Sequence, residues 1–237
     1  MTAEASVLLS TTASIAIIHT LAGPDHYLPF IAISKARNWS LKRTVIFTFL
    51  CGLGHVGSSV LLGIIGVATG IAISHIELWE GQRGSIVSVL LMTFGLGYFI
   101  WGAIRAIQNK PHTHLHVHDN GEQHEHSHSI DTIHVHEHPE EKKRNITPWI
   151  LFTIFIFGPC EPLIPLVMYP AAESNYWLLT AVTALFAIIT IGTMITLVVL
   201  ANRGFHFLNL KKAGRYAHAI AGFIILLCGI GMVFLGL

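Results

Sequence analysis

Polar residues in this chain gather into short clusters, and between them run long apolar stretches at 5–34, 44–74, 84–107, 147–172, 176–201 and 213–237. A helix that crosses a bilayer needs about 20 mostly apolar residues, so each stretch is long enough for one span. The pattern predicts an all-α integral membrane protein with six transmembrane helices. The first and fourth stretches carry internal prolines, Pro24 and Pro29 in one and Pro159, Pro162 and Pro165 in the other. Proline removes a backbone donor and obstructs the preceding turn, so both helices are predicted to be broken.

Composition strengthens this reading. Of the 237 residues, 52% are hydrophobic and 11% charged, whereas about a quarter of a soluble domain is charged. The mean hydropathy is +0.61. Cys51, Cys160 and Cys228 lie in apolar stretches without a CxxC pair, which points to neither a disulfide framework nor a zinc finger. The first residues, MTAEAS, carry Glu4 and no basic cluster, so the first stretch reads as a retained span rather than a cleaved signal. GLGHVG at 52–57 matches GxGxxG but lies inside an apolar stretch with no preceding strand, and its glycines read as helix-packing positions. No Walker motif is present, and neither an enzyme nor a nucleic-acid partner is expected.

Charge placement gives an orientation. Lys35, Arg37, Lys42 and Arg43 follow the first span; Arg105, Lys110, Lys142, Lys143 and Arg144 follow the third; Arg203, Lys211, Lys212 and Arg215 follow the fifth. Of the 14 Lys and Arg residues, Arg83 alone falls elsewhere, in the predicted second loop with Glu77 and Glu80. Basic loops mark the cytoplasmic side, so the odd loops are expected in the cytoplasm and both termini outside, most simply in a plasma (inner) membrane. Three spans per half make the second half inverted if the halves are related. Gly158-Pro159-Cys160-Glu161-Pro162-Leu163-Ile164-Pro165 echoes Gly23-Pro24-Asp25-His26-Tyr27-Leu28-Pro29. The expected organisation is therefore a three-helix repeat at 1–108, a loop at 109–146 and an inverted three-helix repeat at 147–237.

The segment HTLAGPDH at 19–26 carries the clearest intramembrane chemistry. A carboxylate at mid-span costs about 2.5–3.5 kcal/mol on insertion scales, which makes Asp25 a functional candidate. His19 and His26 are seven residues apart, nearly two helical turns, and Gly23-Pro24 permits unwinding that turns Asp25 toward the same cavity. Two imidazoles and a carboxylate suit nickel, cobalt or zinc better than calcium or magnesium. His55 in the second span, and Cys160 and Glu161 in the fourth, are further candidate ligands.

HxLxGPDH in the first span, a GxGH element in the second and a Pro-rich element opening the second half resemble the nickel/cobalt transporter-like permeases, which include urease-accessory membrane proteins. These belong to a superfamily of three-plus-three transporters that also contains lysine exporters and thiol-redox conduits. The resemblance implies two inverted three-helix repeats, a metal-selecting signature formed by His19, Asp25 and His26, and His55 as its second-helix partner. The spacing from His19 to Asp25 is one residue longer than in the high-affinity nickel permeases, which leaves the metal open.

Ten of the 16 histidines lie in the third loop: His112, His114, His116, His118, His124, His126, His128, His134, His136 and His138, with acidic residues interspersed. This tract reads as a flexible, nearly core-less segment that binds metal ions without strong geometric preference. The expected function is secondary transport of a divalent transition metal, proton-driven, with export favoured by a collecting loop on the cytoplasmic side. The metal is expected as cargo, with no permanent cofactor; the partners are the lipid bilayer, the ion, and either a second copy of the chain or a metal-supply chaperone. The alternatives are a thiol-redox conduit centred on Cys160 and a membrane accessory that supplies metal to a urease or hydrogenase.

Overall fold

The computed structural model describes residues 2–69, 73–108, 112–117, 123–128, 147–204 and 214–235. Its membrane part is all-α. Helix α1 (Ala3–Ala22) is capped by the Thr2 hydroxyl, which accepts from the Ala5 amide at 3.3 Å, and it ends at Gly23. A single 3-10 turn (Pro24–His26) leads into α2 (Leu28–Ala36), which starts with Pro29 where no amide partner is required. Asn38 reverses the chain with φ 50°, a backbone conformation that Asn tolerates better than most residues. Helices α3 (Leu41–Thr69) and α4 (Ile73–Gln108) follow. After the third loop come α5 (Thr147–Phe157), α6 (Leu163–Ala172), α7 (Tyr176–Gly204) and α8 (Ala217–Leu235).

Among the described residues, five helices are long and apolar enough to cross a bilayer, at 3–22, 41–66, 78–108, 176–204 and 214–234. The chain is thus built as a multi-pass membrane protein. Large side chains such as Val7, Ile188 and Phe234 are 65%, 70% and 77% exposed, which water would penalise and lipid would not. The predicted fourth span is not continuous: α5 and α6 have 11 and 10 residues, each about 15 Å long against a hydrocarbon core of about 30 Å. Its Gly-Pro-Cys-Glu-Pro segment separates them as expected. One boundary needs correction. Glu80 and Arg83, assigned from their charge to the second loop, lie inside α4; Arg83 bonds Glu80 and the carbonyls of Ile156 and Gly158, which replace a loop's water.

The tightest pairing joins α4 to α8, which run antiparallel along a seam of glycines. A Cβ on Gly95 would collide with the backbone of Leu226, one on Gly102 with Ala219, and one on Gly222 with Phe99; at Gly229 it would stand 2.8 Å from the Met92 amide nitrogen. Small residues let backbones approach where lipid gives no hydrophobic drive for association. Elsewhere α1 lies against α7, α3 against both α5 and α7, and α2 against α8. In the third loop, expected to lack regular structure, β1 (His112–Val117) and β2 (Gln123–His128) form an antiparallel ladder that sets His112 opposite His128, His114 opposite His126 and His116 opposite His124. His118, His134, His136 and His138 lie outside the described residues.

Candidate metal centre

The break after α1 brings His26 back to the last turn of α1. The ring of His26 lies 4.6 Å from that of His19 and 5.0 Å from that of His55 on α3, nearly perpendicular to each. One nitrogen from each ring lies within 4.8 Å of the others. Two of the three residues were predicted on one helical face; the 3-10 turn, rather than a continuous helix, is what brings them together. They line a cavity of about 470 Å³ bounded by α4 and by the break between α5 and α6.

Local backbone sets the state of the central ring. His26 Nδ1 is 3.0 Å from the Gly23 carbonyl oxygen. That oxygen can only accept, so Nδ1 carries a proton, and in the neutral ring Nε2 keeps its lone pair. Among the described residues Nε2 of His26 has no hydrogen-bond partner, and the same is true of His19 Nε2 and both nitrogens of His55. A buried polar atom left unpaired costs about 1–3 kcal/mol, so four of them in one place call for a ligand. Neutral imidazoles fixed in this way by an outer hydrogen bond are the usual donors to borderline divalent ions.

Both Gly-Pro breaks press against this cluster. A Cβ on Gly23 would stand 2.5 Å from His26 Nδ1, and one on Gly158 would stand 2.9 Å from His55 Nδ1. Glycine is required in each half for the chain to pass the rings. Phe155 also lines the cavity, 6.4 Å from His55, and Phe30 packs 4.7 Å from Phe155, centre to centre.

The other predicted ligands are placed differently. Asp25 lines the cavity, and its Oδ1 is 3.3 Å from His26 Nδ1. Its carboxylate thus stands behind His26, on the side away from Nε2, and is not one of the three clustered donors. Glu161 is exposed and also lines the cavity. Cys160 is fully buried in a separate apolar cluster with Val56 and Leu163, its amide donating to the Ser59 hydroxyl at 3.1 Å. The prolines do the expected work: Pro24 opens the 3-10 turn, Pro29 starts α2, Pro159 and Pro162 occupy the second break, and Pro165 lies in the first turn of α6. Outside the cavity, His218 meets the Tyr98 hydroxyl at 2.8 Å and His75 is exposed.

Sequence reasoning missed one element of the site's frame. Glu80 has no exposed side-chain surface and accepts from Arg83 Nη1 at 2.6 Å. Arg83 Nη2 donates to the Ser58 hydroxyl at 2.7 Å and to the carbonyls of Ile156 and Gly158, each at 3.3 Å. The available signal was an acid and a base three residues apart just before an apolar run, a spacing that pairs on a helix. No family model, curated protein or solved structure matches the chain.

Proposed function

We propose that the protein is a secondary transporter of a divalent transition-metal cation, nickel, cobalt or zinc, and that His19, His26 and His55 receive the ion midway across. The observation that carries this reading is the set of buried, unpartnered imidazole nitrogens within 4.8 Å of one another at a helix break. Three nitrogens bound at about 2.1 Å to one ion lie about 3.0–3.4 Å apart, so the cluster tightens when it engages cargo. Three donors leave coordination positions open, which suits an ion that must leave again. Asp25 supplies a negative charge behind His26, where it orients the ring and offsets part of the cargo's charge.

The finer architecture in this reading is six spans in two inverted three-helix repeats, with α1–α2 matched to α5–α6, α3 to α7 and α4 to α8. Helix pairing supports it: α1 beside α7 and α3 beside α5 are exchanged by a two-fold relation, while α3 with α7 and α4 with α8 are each carried onto themselves. In this reading the basic loops and the histidine hairpin face the cytoplasm, as the positive-inside rule favours, the hairpin collects ions for export, and a proton gradient drives the cycle. A thiol-redox conduit finds less support, because Cys51, Cys160 and Cys228 belong to three separate apolar clusters. An accessory that supplies metal without moving it is separated by one assay. Purified protein in proteoliposomes with an imposed proton gradient is expected to move at least one of nickel, cobalt and zinc; no flux of any of them would overturn the proposal.

A further inference from the structure

The two helix breaks are held open by different devices. At the first, the Gly23 carbonyl accepts from the His26 amide at 3.1 Å and from the His26 ring, a member of the site itself. At the second, the Ile156 and Gly158 carbonyls at the end of α5 are taken by Arg83, which reaches across from α4. Unpaired backbone carbonyls cannot be left within a membrane, and Gly158 touches the wall formed by His55. Gly84, next to Arg83, leaves room for Pro159, whose Cγ would be 3.1 Å from a Cβ there. From α3, Ser58 accepts from Arg83, and Ser59 accepts from the Cys160 amide. A permanent cation this close to a cation site would repel the cargo unless neutralised, and the fully buried Glu80 is bonded to it.

We infer that Glu80 and Arg83 form a positioning pair: Arg83 pins the second break against His55, and Glu80 cancels its charge so that a divalent cation is tolerated beside it. The neutralising half of this inference rests on the transporter reading; the pinning half does not. Neither residue is among the clustered metal donors.

The test measures two quantities on the full chain in detergent. One is the rate at which N-ethylmaleimide alkylates Cys160, located by mass spectrometry; the other is nickel affinity by calorimetry. Cys160 has no exposed surface and adjoins the second break, so its alkylation reports whether the break stays closed without any metal present. Arg83→Gln is expected to speed alkylation by about tenfold or more and to weaken nickel binding by a similar factor, the scale expected when a buried charged contact is truncated. Glu80→Gln keeps an oxygen for Arg83, so alkylation stays within about twofold of wild type while nickel binding weakens by about tenfold or more. Ser58→Ala, which removes one acceptor of Arg83, is the milder substitution should Arg83→Gln not fold, and is expected to speed alkylation by about two- to fivefold. Unchanged alkylation in the folded arginine and serine variants would overturn the pinning role. Unchanged nickel affinity in Glu80→Gln would overturn the neutralising role. No nickel binding by the wild type would remove the neutralising role together with its metal premise, while the alkylation results would still decide the pinning role.

Discussion

His26 Nδ1 and the Gly23 carbonyl oxygen are 3.0 Å apart, so the ring at the centre of the site is tied to the same carbonyl that the His26 amide bonds in the first helix break. Metal at Nε2 would polarise the ring and strengthen this bond, joining ion binding to the conformation of the break.

Gly23→Ala tests that join. Its Cβ would stand 2.5 Å from His26 Nδ1, so either the ring or the turn must move. Nickel affinity measured by calorimetry is expected to fall by about tenfold or more, a loss of at least about 1.4 kcal/mol. Gly57→Ala on the exposed side of α3, where nothing among the described residues lies within 4 Å, is expected to leave affinity unchanged.

Asp25→Asn keeps the size of the side chain and removes its charge. If the carboxylate supports His26 from behind, as its 3.3 Å approach to Nδ1 implies, metal flux in proteoliposomes is expected to be abolished while the three imidazoles still bind ion weakly. The loss in affinity is expected to be about 10- to 100-fold, the range for removing a group that orients a metal ligand. Flux at the wild-type rate would contradict that role.

Gly222→Leu addresses the α4–α8 seam. The added side chain meets the backbone of Phe99, and helices locked backbone to backbone cannot yield locally. The expected cost is about 3 kcal/mol or more, read as a lower midpoint of thermal unfolding in detergent. An unchanged midpoint would mean that the seam contributes little to stability.

The histidine hairpin is expected to tune transport rather than perform it. Deletion of 109–146 should lower apparent metal affinity on the loop side and leave flux measurable, because α4 and α5 keep their own contacts. Complete loss of flux in folded protein would place the loop within the path.

Much of this architecture was legible because lipid imposes a simple rule: apolar length makes a span, and proline interrupts it. The first break followed from Gly23-Pro24; His19 and His26 were paired by the seven-residue spacing of a continuous helix, whereas the 3-10 turn at the break is what joins them. His55 was legible only as a lone histidine on a glycine-rich stretch, since its nearness to His26 depends on how α3 packs against the break. The ligand set read from the sequence was wider than the cluster. Asp25 and Glu161 reach the same cavity but not the same point, and Cys160 points into apolar packing, because a broken helix sends neighbouring residues in different directions. Glu80 and Arg83 were misplaced for another reason. A charge count treats them as loop markers, and only the fold supplies the carbonyls that let an arginine stay half-buried.

The central claim is that three imidazoles from α1, the first break and α3 hold one divalent ion. Cobalt X-ray absorption measures this most directly, on protein whose loop histidines at 112–138 are replaced by serine so that the membrane site alone remains. With one equivalent of cobalt, the account predicts a shell containing three imidazole nitrogens at about 2.1 Å, reduced in His19→Ala, His26→Ala and His55→Ala. A cobalt shell of oxygens only, or one unchanged by all three substitutions, would contradict it.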